Sequence, residues 1–266
     1  MTEDVTDDLM VYYELNNFYQ NHRRYVGSKS AAQLMGEQVS ESEMSQKCDP
    51  LYKIHKTNKT YYLNPCGLIA NSFFNDVITT SSVVLDETDI SWKSDREKKF
   101  KQVDGFKSAE KSTYGANCPN DYKQYTDASG TDWCFQYPNE DKYQYLYETY
   151  PQISPLDGVT DEHFIVWMRT AGLPNFRKLY GRIEGQPLQK GQQITFNITQ
   201  NFDVSDFEGK KSIVISTVGR FGGKNPYLGV AYIVVGSISL FFGCLFLVKH
   251  IFYPRKMGDL SKLHWQ

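Results

Sequence analysis

YLGVAYIVVGSISLFFGCLFLV, residues Tyr227–Val248, contains no charged side chain. At about 1.5 Å of rise per residue, a helix of this length crosses a hydrocarbon core of about 30 Å and satisfies its own backbone N–H and C=O groups there. Pro226 precedes the run where a missing N–H costs nothing, and Lys249, His250, Arg255 and Lys256 follow it. A buried helix of a soluble domain is the competing reading, which so long a charge-free run disfavours. The expected organisation is a folded domain over 1–224, a transmembrane helix over 225–250 and a tail over 251–266.

Within the span, Gly229, Gly236 and Gly243 recur every seven residues and Ser239 precedes Gly243 by four. At about 100° per residue each glycine returns to nearly the same helix face, where small side chains let a second helix approach closely. Incidental glycines in a lipid-facing helix are the alternative. With no ionisable group inside it, one such helix encloses no path for ions or solutes, so a larger membrane partner is expected.

The chain has 266 residues, a net charge of −2, and 19 Tyr and 16 Phe, enough apolar surface for a substantial core before the span. The near-neutral charge and scattered basic residues exclude a general nucleic-acid binder. Cys48, Cys66, Cys118 and Cys134 lie before the span and Cys244 within it, without C-x-x-C or zinc-like spacing. Two local disulfides are the natural reading, each closing a short loop and stabilising by about 3 kcal/mol. Four cysteines still allow three connectivities, and buried free thiols are the alternative. The sequons at Asn58-Lys59-Thr60 and Asn197-Ile198-Thr199 share that side of the span and suggest glycosylation of a lumenal or extracellular domain.

The N-terminus points the other way. Met1–Asp8, MTEDVTDD, is acidic and no hydrophobic leader follows it. Lys210, Lys211, Arg220 and Lys224 before the span balance Lys249, Arg255, Lys256 and Lys262 after it, so flanking charge sets no orientation. The expectation is either a tail-anchored cytosolic protein or a form lacking an upstream translocating segment.

Along the domain, Val11–Leu15 alternates as a strand, and His22, Arg23 and Arg24 lie between Tyr19 and Tyr25 as a basic–aromatic cluster suited to acidic groups, or else as a solvated, locally paired patch. Ser28–Lys47 reads as loop or frayed helix, and turn residues bracket Cys48 and Cys66. Thr79–Leu85 reads as a strand, and Ser91 to about Asp157 as a long polar surface excursion stapled near Cys118 and Cys134. Phe164, Ile165, Trp167 and Met168 bury a short helix or strand ended by Gly172 and Pro174. Asp161, Glu162 and His163 are read as acids at a helix N-terminus rather than a ligand set, since adjacent residues do not converge. Ile194, Phe196 and Ile198 alternate with Thr195, Asn197 and Thr199, and Ile213–Val218 forms another strand. Short strands between turns predict a mainly β architecture: an antiparallel β-sandwich with long loops and short helices, plus the C-terminal transmembrane α-helix.

A P-loop, H-E-x-x-H, G-x-S-x-G, G-x-G-x-x-G and the Asp-Lys-Thr-Gly-Thr that a P-type ATPase phosphorylates are all missing. Neither catalysis nor a cofactor or metal is expected.

FYQNHRRYVGS (Phe18–Ser28), NPCGLIANSFFND (Asn64–Asp76), HFIVWMRTAGLPNFRKLY (His163–Tyr180) and GGKNPYLGVAYIVVGSIS (Gly222–Ser239) resemble, in this order, the cell-division-cycle fifty/ligand-effect-modulator three family. Its members are the noncatalytic β subunits of type-IV P-type ATPases, the phospholipid flippases. The resemblance implies a glycosylated, disulfide-bonded lumenal or exoplasmic β-sandwich between two membrane helices with cytosolic termini. Cys48 and Cys66 stand where the family has an ectodomain disulfide, whereas the 91–157 stretch and its cysteine pair match poorly. Against the family pattern this sequence lacks the first helix and what flanks it, so an N-terminally truncated form is expected.

What the resemblance implies is an accessory subunit, paired as a heterodimer with the ATPase catalytic subunit and needed for its folding, exit from the endoplasmic reticulum and transport cycle, in the Golgi, endosomes or plasma membrane. Phospholipid is met through the partner. The expected contacts are His22, Arg23, Arg24, Tyr25, Trp167 and Arg169 in the ectodomain and Gly229, Gly236 and Gly243 in the span. A single-pass adhesion or ligand-binding module without an ATPase partner is the alternative.

Overall fold

The structure, a computed structural model, describes residues 4, 8–185, 188–219, 222–223 and 226–253. Most of the expected tail, including Arg255, Lys256 and Lys262, lies outside the described residues, as do Arg220 and Lys224. The chain folds as two compact units, Met1–Thr217 and Val218–Gln266. It is sheet-rich with short helices and one long apolar helix.

In chain order the elements are β1 (Leu9–Asn16), α1 (Arg23–Gly27), α2 (Ala31–Leu34), α3 (Glu41–Cys48), β2 (Lys53–Lys56), β3 (Lys59–Asn64), β4 (Val77–Thr80), α4 (Lys93–Lys98), β5 (Lys107–Glu110), β6 (Lys123–Thr126), β7 (Asp132–Gln136), β8 (Tyr143–Tyr145), α5 (Leu146–Thr149), α6 (Glu162–Met168), β9 (Phe176–Ile183), β10 (Phe196–Thr199), β11 (Lys210–Gly219), β12 (Gly222–Gly223) and α7 (Pro226–Phe252).

In the first unit β1 is the central strand, antiparallel to both β11 and β9. Its period of two drives Leu9, Val11, Tyr13 and Leu15 into the core while Met10, Tyr12 and Glu14 stay half-buried. The sequence reading stopped short of β9, whose register sets Lys178 opposite Tyr13 and Phe176 opposite Leu15. Arg177, Lys178 and Arg182 disguise its alternation, because Lys178 points inward with Phe176 and Tyr180.

Against this sheet packs α6, with Phe164, Ile165, Trp167 and Met168 all buried. The Trp167 indole N–H donates to the Ile69 carbonyl at 2.7 Å, so the ring's polar edge is satisfied inside. Tyr13 stacks on Phe74 with centroids 4.0 Å apart, and Phe18 meets Trp167, Phe176, Phe202 and Phe207 at tilted or edge-on angles.

β2 and β3 form a hairpin whose turn residues Thr57 and Asn58 both have positive φ, the geometry that matches strand twist in a two-residue turn. β8 joins β3 in parallel, the one parallel pair among the described strands. The loop expectation for Ser91–Asp157 needs correction, since that stretch holds the sheet β5-β7-β6 and a core of Val103, Phe135, Tyr137 and Tyr145. Its tyrosines bury their rings while Tyr137 and Tyr145 donate their hydroxyls to the carbonyls of Pro155 and Pro138, so a polar-looking sequence makes an apolar cluster. The Thr79–Leu85 strand is also shorter than expected: β4 ends at Thr80 and Val84 is exposed. In β10, antiparallel to β4, Phe196 is half-buried but Ile198 faces outward with Asn197.

Cys48 and Cys66 are joined, as are Cys118 and Cys134, each pair with Cα atoms less than 6 Å apart (5.7 and 5.6 Å). Gly67, next to Cys66, has φ +104° and its backbone abuts the Ser28 carbonyl, which leaves no room for a Cβ.

In the second unit β12 pairs with the end of β11, and α7 runs for 27 residues. Tyr227–Phe252, whose most apolar 18-residue window has a mean hydropathy of 2.3, is long and apolar enough to cross a membrane.

Candidate functional site

The basic–aromatic cluster follows directly from β1. Between β1 and α1 the chain turns through Asn17, at φ 64°, and lies beside the segment that leaves α6. Four hydrogen bonds join these two loops. The Asn17 N–H donates to Asn175 Oδ1 at 3.1 Å and the Phe18 N–H to the Pro174 carbonyl at 3.0 Å. Asn21 Nδ2 donates to the Gly172 carbonyl at 2.9 Å, and the Ala171 N–H to Oε1 of fully buried Gln20 at 2.9 Å. The pairing fixes the loops as one surface, because each bond spans about 150 residues of sequence and neither loop has a ladder of its own.

From this surface Tyr19 and Leu173 project, 57% and 70% exposed. His22, Arg23 and Arg24 are exposed beside Tyr19; Arg24 reaches Asp49 at 4.0 Å in a solvent-screened pair of small energetic weight. Tyr25 turns inward, its hydroxyl 2.7 Å from Ser72 Oγ and its ring edge-on to Phe18, and burial pushes its pKa up to about 12.

The expected contact residues on α6 therefore separate. Trp167 is 0% exposed, so its indole belongs to the core and cannot touch a partner. Arg169 lies on the surface: its Nε donates to Asp95 Oδ2 at 2.5 Å and its guanidinium covers the Trp92 ring, 4.7 Å from the centroid. The hydrogen bond from Arg169 holds the Asp95 carboxyl below the usual range, against the opposing effect of burial, with Lys99 assisting at 2.8 Å.

Lys178 holds the same end of α6 from beneath. Its ammonium donates to the carbonyls of Val166, Trp167 and Arg169 at 3.0, 2.6 and 2.5 Å, three acceptors that the helix C-terminus leaves unsatisfied. Burial pulls its pKa down to about 7.

At the other end of α6, Asp161 accepts from the Phe164 N–H at 2.8 Å as the N-cap, and Glu162 accepts from the Asp89 and Ser91 backbones and from Arg96. His163 pairs with Glu87 at 2.9 Å. Glu162 thus braces the 89–96 segment while Asp161 caps its own helix, and the three side chains do not converge on a common point. Among the described residues no group of three or more His, Cys, Asp or Glu is arranged to hold a metal ion.

Asn58, at the tip of the β2–β3 turn, and Asn197, on β10, are both exposed. Gly229, Gly236 and Gly243 all lie in α7, and among the described residues a Cβ built on any of them meets no atom within 4 Å outside its own turn of helix.

Sequence reasoning missed Leu173 and Lys178. Leu173, in the turn between Gly172 and Pro174, carried little signal, since single exposed apolar residues are common on protein surfaces. Lys178 carried no signal, because a lysine in a strand ordinarily faces water.

A family model described as LEM3 (ligand-effect modulator 3) family / CDC50 family matches residues 1–256. Cell cycle control protein 50A of Mus musculus is 37% identical over 257 residues, which covers 91% of this chain and 64% of the relative. ALA-interacting subunit 3 of Arabidopsis thaliana is 36% identical over 269 residues, 100% of this chain and 66% of the relative. Phospholipid-transporting ATPase accessory subunit CDC50 of Chaetomium thermophilum is 36% identical over 268 residues, 99% of this chain and 61% of the relative. The chain thus spans somewhat less than two thirds of the length of these relatives.

Proposed function

The chain belongs to the LEM3/CDC50 family, and on that premise we propose that it is the noncatalytic accessory subunit of a phospholipid-transporting P-type ATPase. The observation that carries this reading is the match over residues 1–256 to a family with relatives named as accessory subunits of such ATPases. ATP hydrolysis and lipid movement reside in the partner; this chain assists the partner's folding, exit from the endoplasmic reticulum and transport cycle.

It is a membrane protein. In this reading 1–224 is a lumenal or exoplasmic ectodomain of sandwich type, with 91–157 its most divergent part, α7 spans the bilayer over 225–250, and 251–266 is cytosolic. Two disulfides suit an oxidising compartment, and both sequon asparagines are exposed where a glycosyltransferase reaches them. The partner meets the paired loops through Tyr19, His22, Arg23, Arg24, Leu173 and Arg169, and a helix of the partner packs on the Gly229/Gly236/Gly243 face.

Affinity purification of the chain from its native membranes tests the reading. Stoichiometric recovery of a P-type ATPase catalytic chain, together with a downward gel shift after peptide-N-glycosidase treatment, is the expected result. A chain that reaches the cell surface alone, with no ATPase recovered, overturns it.

A further inference from the structure

A cavity of about 630 Å³ opens where α2, α4 and the C-terminal end of α6 meet. Its floor is apolar, formed by buried Leu34, Phe100 and Met168, with Met35, 46% exposed, at the lip. Its charged lining is unbalanced: Lys29, Lys99 and Arg169 face a single carboxylate, Asp95, which leaves two net positive charges. Asp95 engages Lys99 and Arg169 Nε, and Trp92 fixes the plane of the guanidinium. The two terminal amino groups of Arg169 and the Lys29 ammonium have no acceptor among the described residues. A buried acid thus holds two of the three cations that line a pocket with an apolar floor.

We propose that this cavity binds a phosphate ester carrying an apolar substituent, with the phosphate on Arg169 and Lys29 and the substituent on the Leu34, Met35, Phe100 and Met168 surface. A guanidinium whose two terminal amino groups are free matches phosphate oxygens in bidentate fashion, and a dianion neutralises the two excess positive charges. The volume falls within the roughly 300–1,000 Å³ of small-molecule sites, in which a few polar groups orient a ligand over an apolar wall. The proposal does not depend on the accessory-subunit reading.

The test is calorimetric titration of the full chain in phosphatidylcholine nanodiscs, with empty discs as blank, using dihexanoyl phosphatidic acid, inorganic phosphate and dihexanoylglycerol. The expected result is one saturable site for the phosphatidic acid, at least about tenfold tighter than inorganic phosphate, with no saturation by the uncharged glyceride. Lys29→Ala, which removes an exposed side chain without a partner, weakens the ester about fivefold or more, as does Arg169→Lys, which keeps a cation for Asp95. Met35→Ala weakens the ester and leaves inorganic phosphate unchanged. Inorganic phosphate binding as tightly as the ester overturns the proposal, as does an ester affinity unmoved by both Lys29→Ala and Arg169→Lys.

Discussion

Lys178 Nζ lies 2.6 Å from the carbonyl oxygen of Trp167 and 5.0 Å from the centre of the Trp167 indole, so one buried ammonium caps the helix that carries the largest core side chain and also covers its ring. The contact couples β9 to the end of α6, where the chain leaves the core for the paired loops.

Replacing this lysine by methionine keeps the volume and strands three carbonyls. Lys178→Met is expected to cost about 2–4 kcal/mol, seen as a melting temperature lower by roughly 5–10 °C. The pH dependence has a definite sign. With the folded pKa drawn down to about 7 and the unfolded value near 10.4, the unfolded chain binds more protons between them, so wild-type stability rises with pH across that window. In Lys178→Met that rise is reduced, which urea titrations from pH 7 to 10 measure.

Asp95 gives the opposite limb. Its carboxyl is held below the usual range chiefly by Arg169, so its contribution is present above the unfolded pKa of about 3.9 and is lost as pH falls through the lower folded value. Asp95→Asn is expected to lower stability at pH 7 by about 1–3 kcal/mol and to flatten the acid limb below about pH 4, measured by thermal melts from pH 7 to 3.

Leu173→Glu tests the loop surface without touching the core, because the side chain is 70% exposed. Stability is expected to stay within about 0.5 kcal/mol of wild type while recovery of the ATPase catalytic chain falls severalfold. Recovery equal to wild type removes the paired loops from the interface.

Gly236→Leu does the same for the membrane helix. Among the described residues a Cβ at Gly236 meets no atom within 4 Å outside its own turn of helix, so the added bulk is expected to be felt by a second helix on that face. Loss of co-purification with unchanged glycosylation and expression is expected; undiminished co-purification shows that the glycine face is not used.

Much of the fold was legible because its signals are periodic and local. Val11–Leu15 alternates over one strand, Phe164–Met168 is an apolar cluster behind an acidic N-cap, and Tyr227–Val248 has no charge along its length. β9 was not legible, since Lys178 breaks the apolar alternation unless its ammonium finds acceptors, and those come from another element. The β5-β7-β6 sheet was hidden for a related reason: half of the buried residues it packs on are tyrosines, which score as polar until the hydroxyls of Tyr137 and Tyr145 are known to have partners.

The candidate site shows the same division. Composition marked the neighbourhood, with basic and aromatic residues at 18–25 and 163–180, yet it gave Trp167 two incompatible roles, core residue and partner contact, and passed over Leu173. By itself the sequence determined the family, the long apolar helix, the strand at the centre of the sheet and the absence of nucleotide-binding and hydrolytic motifs. Only the tertiary structure decided which of these side chains face outward, that Cys118 joins Cys134, and how two loops about 150 residues apart become one surface. The physical reason is that burial of a polar or charged group depends on its acceptors, and here those acceptors are backbone groups brought together by long-range packing, which no local pattern of residue types encodes.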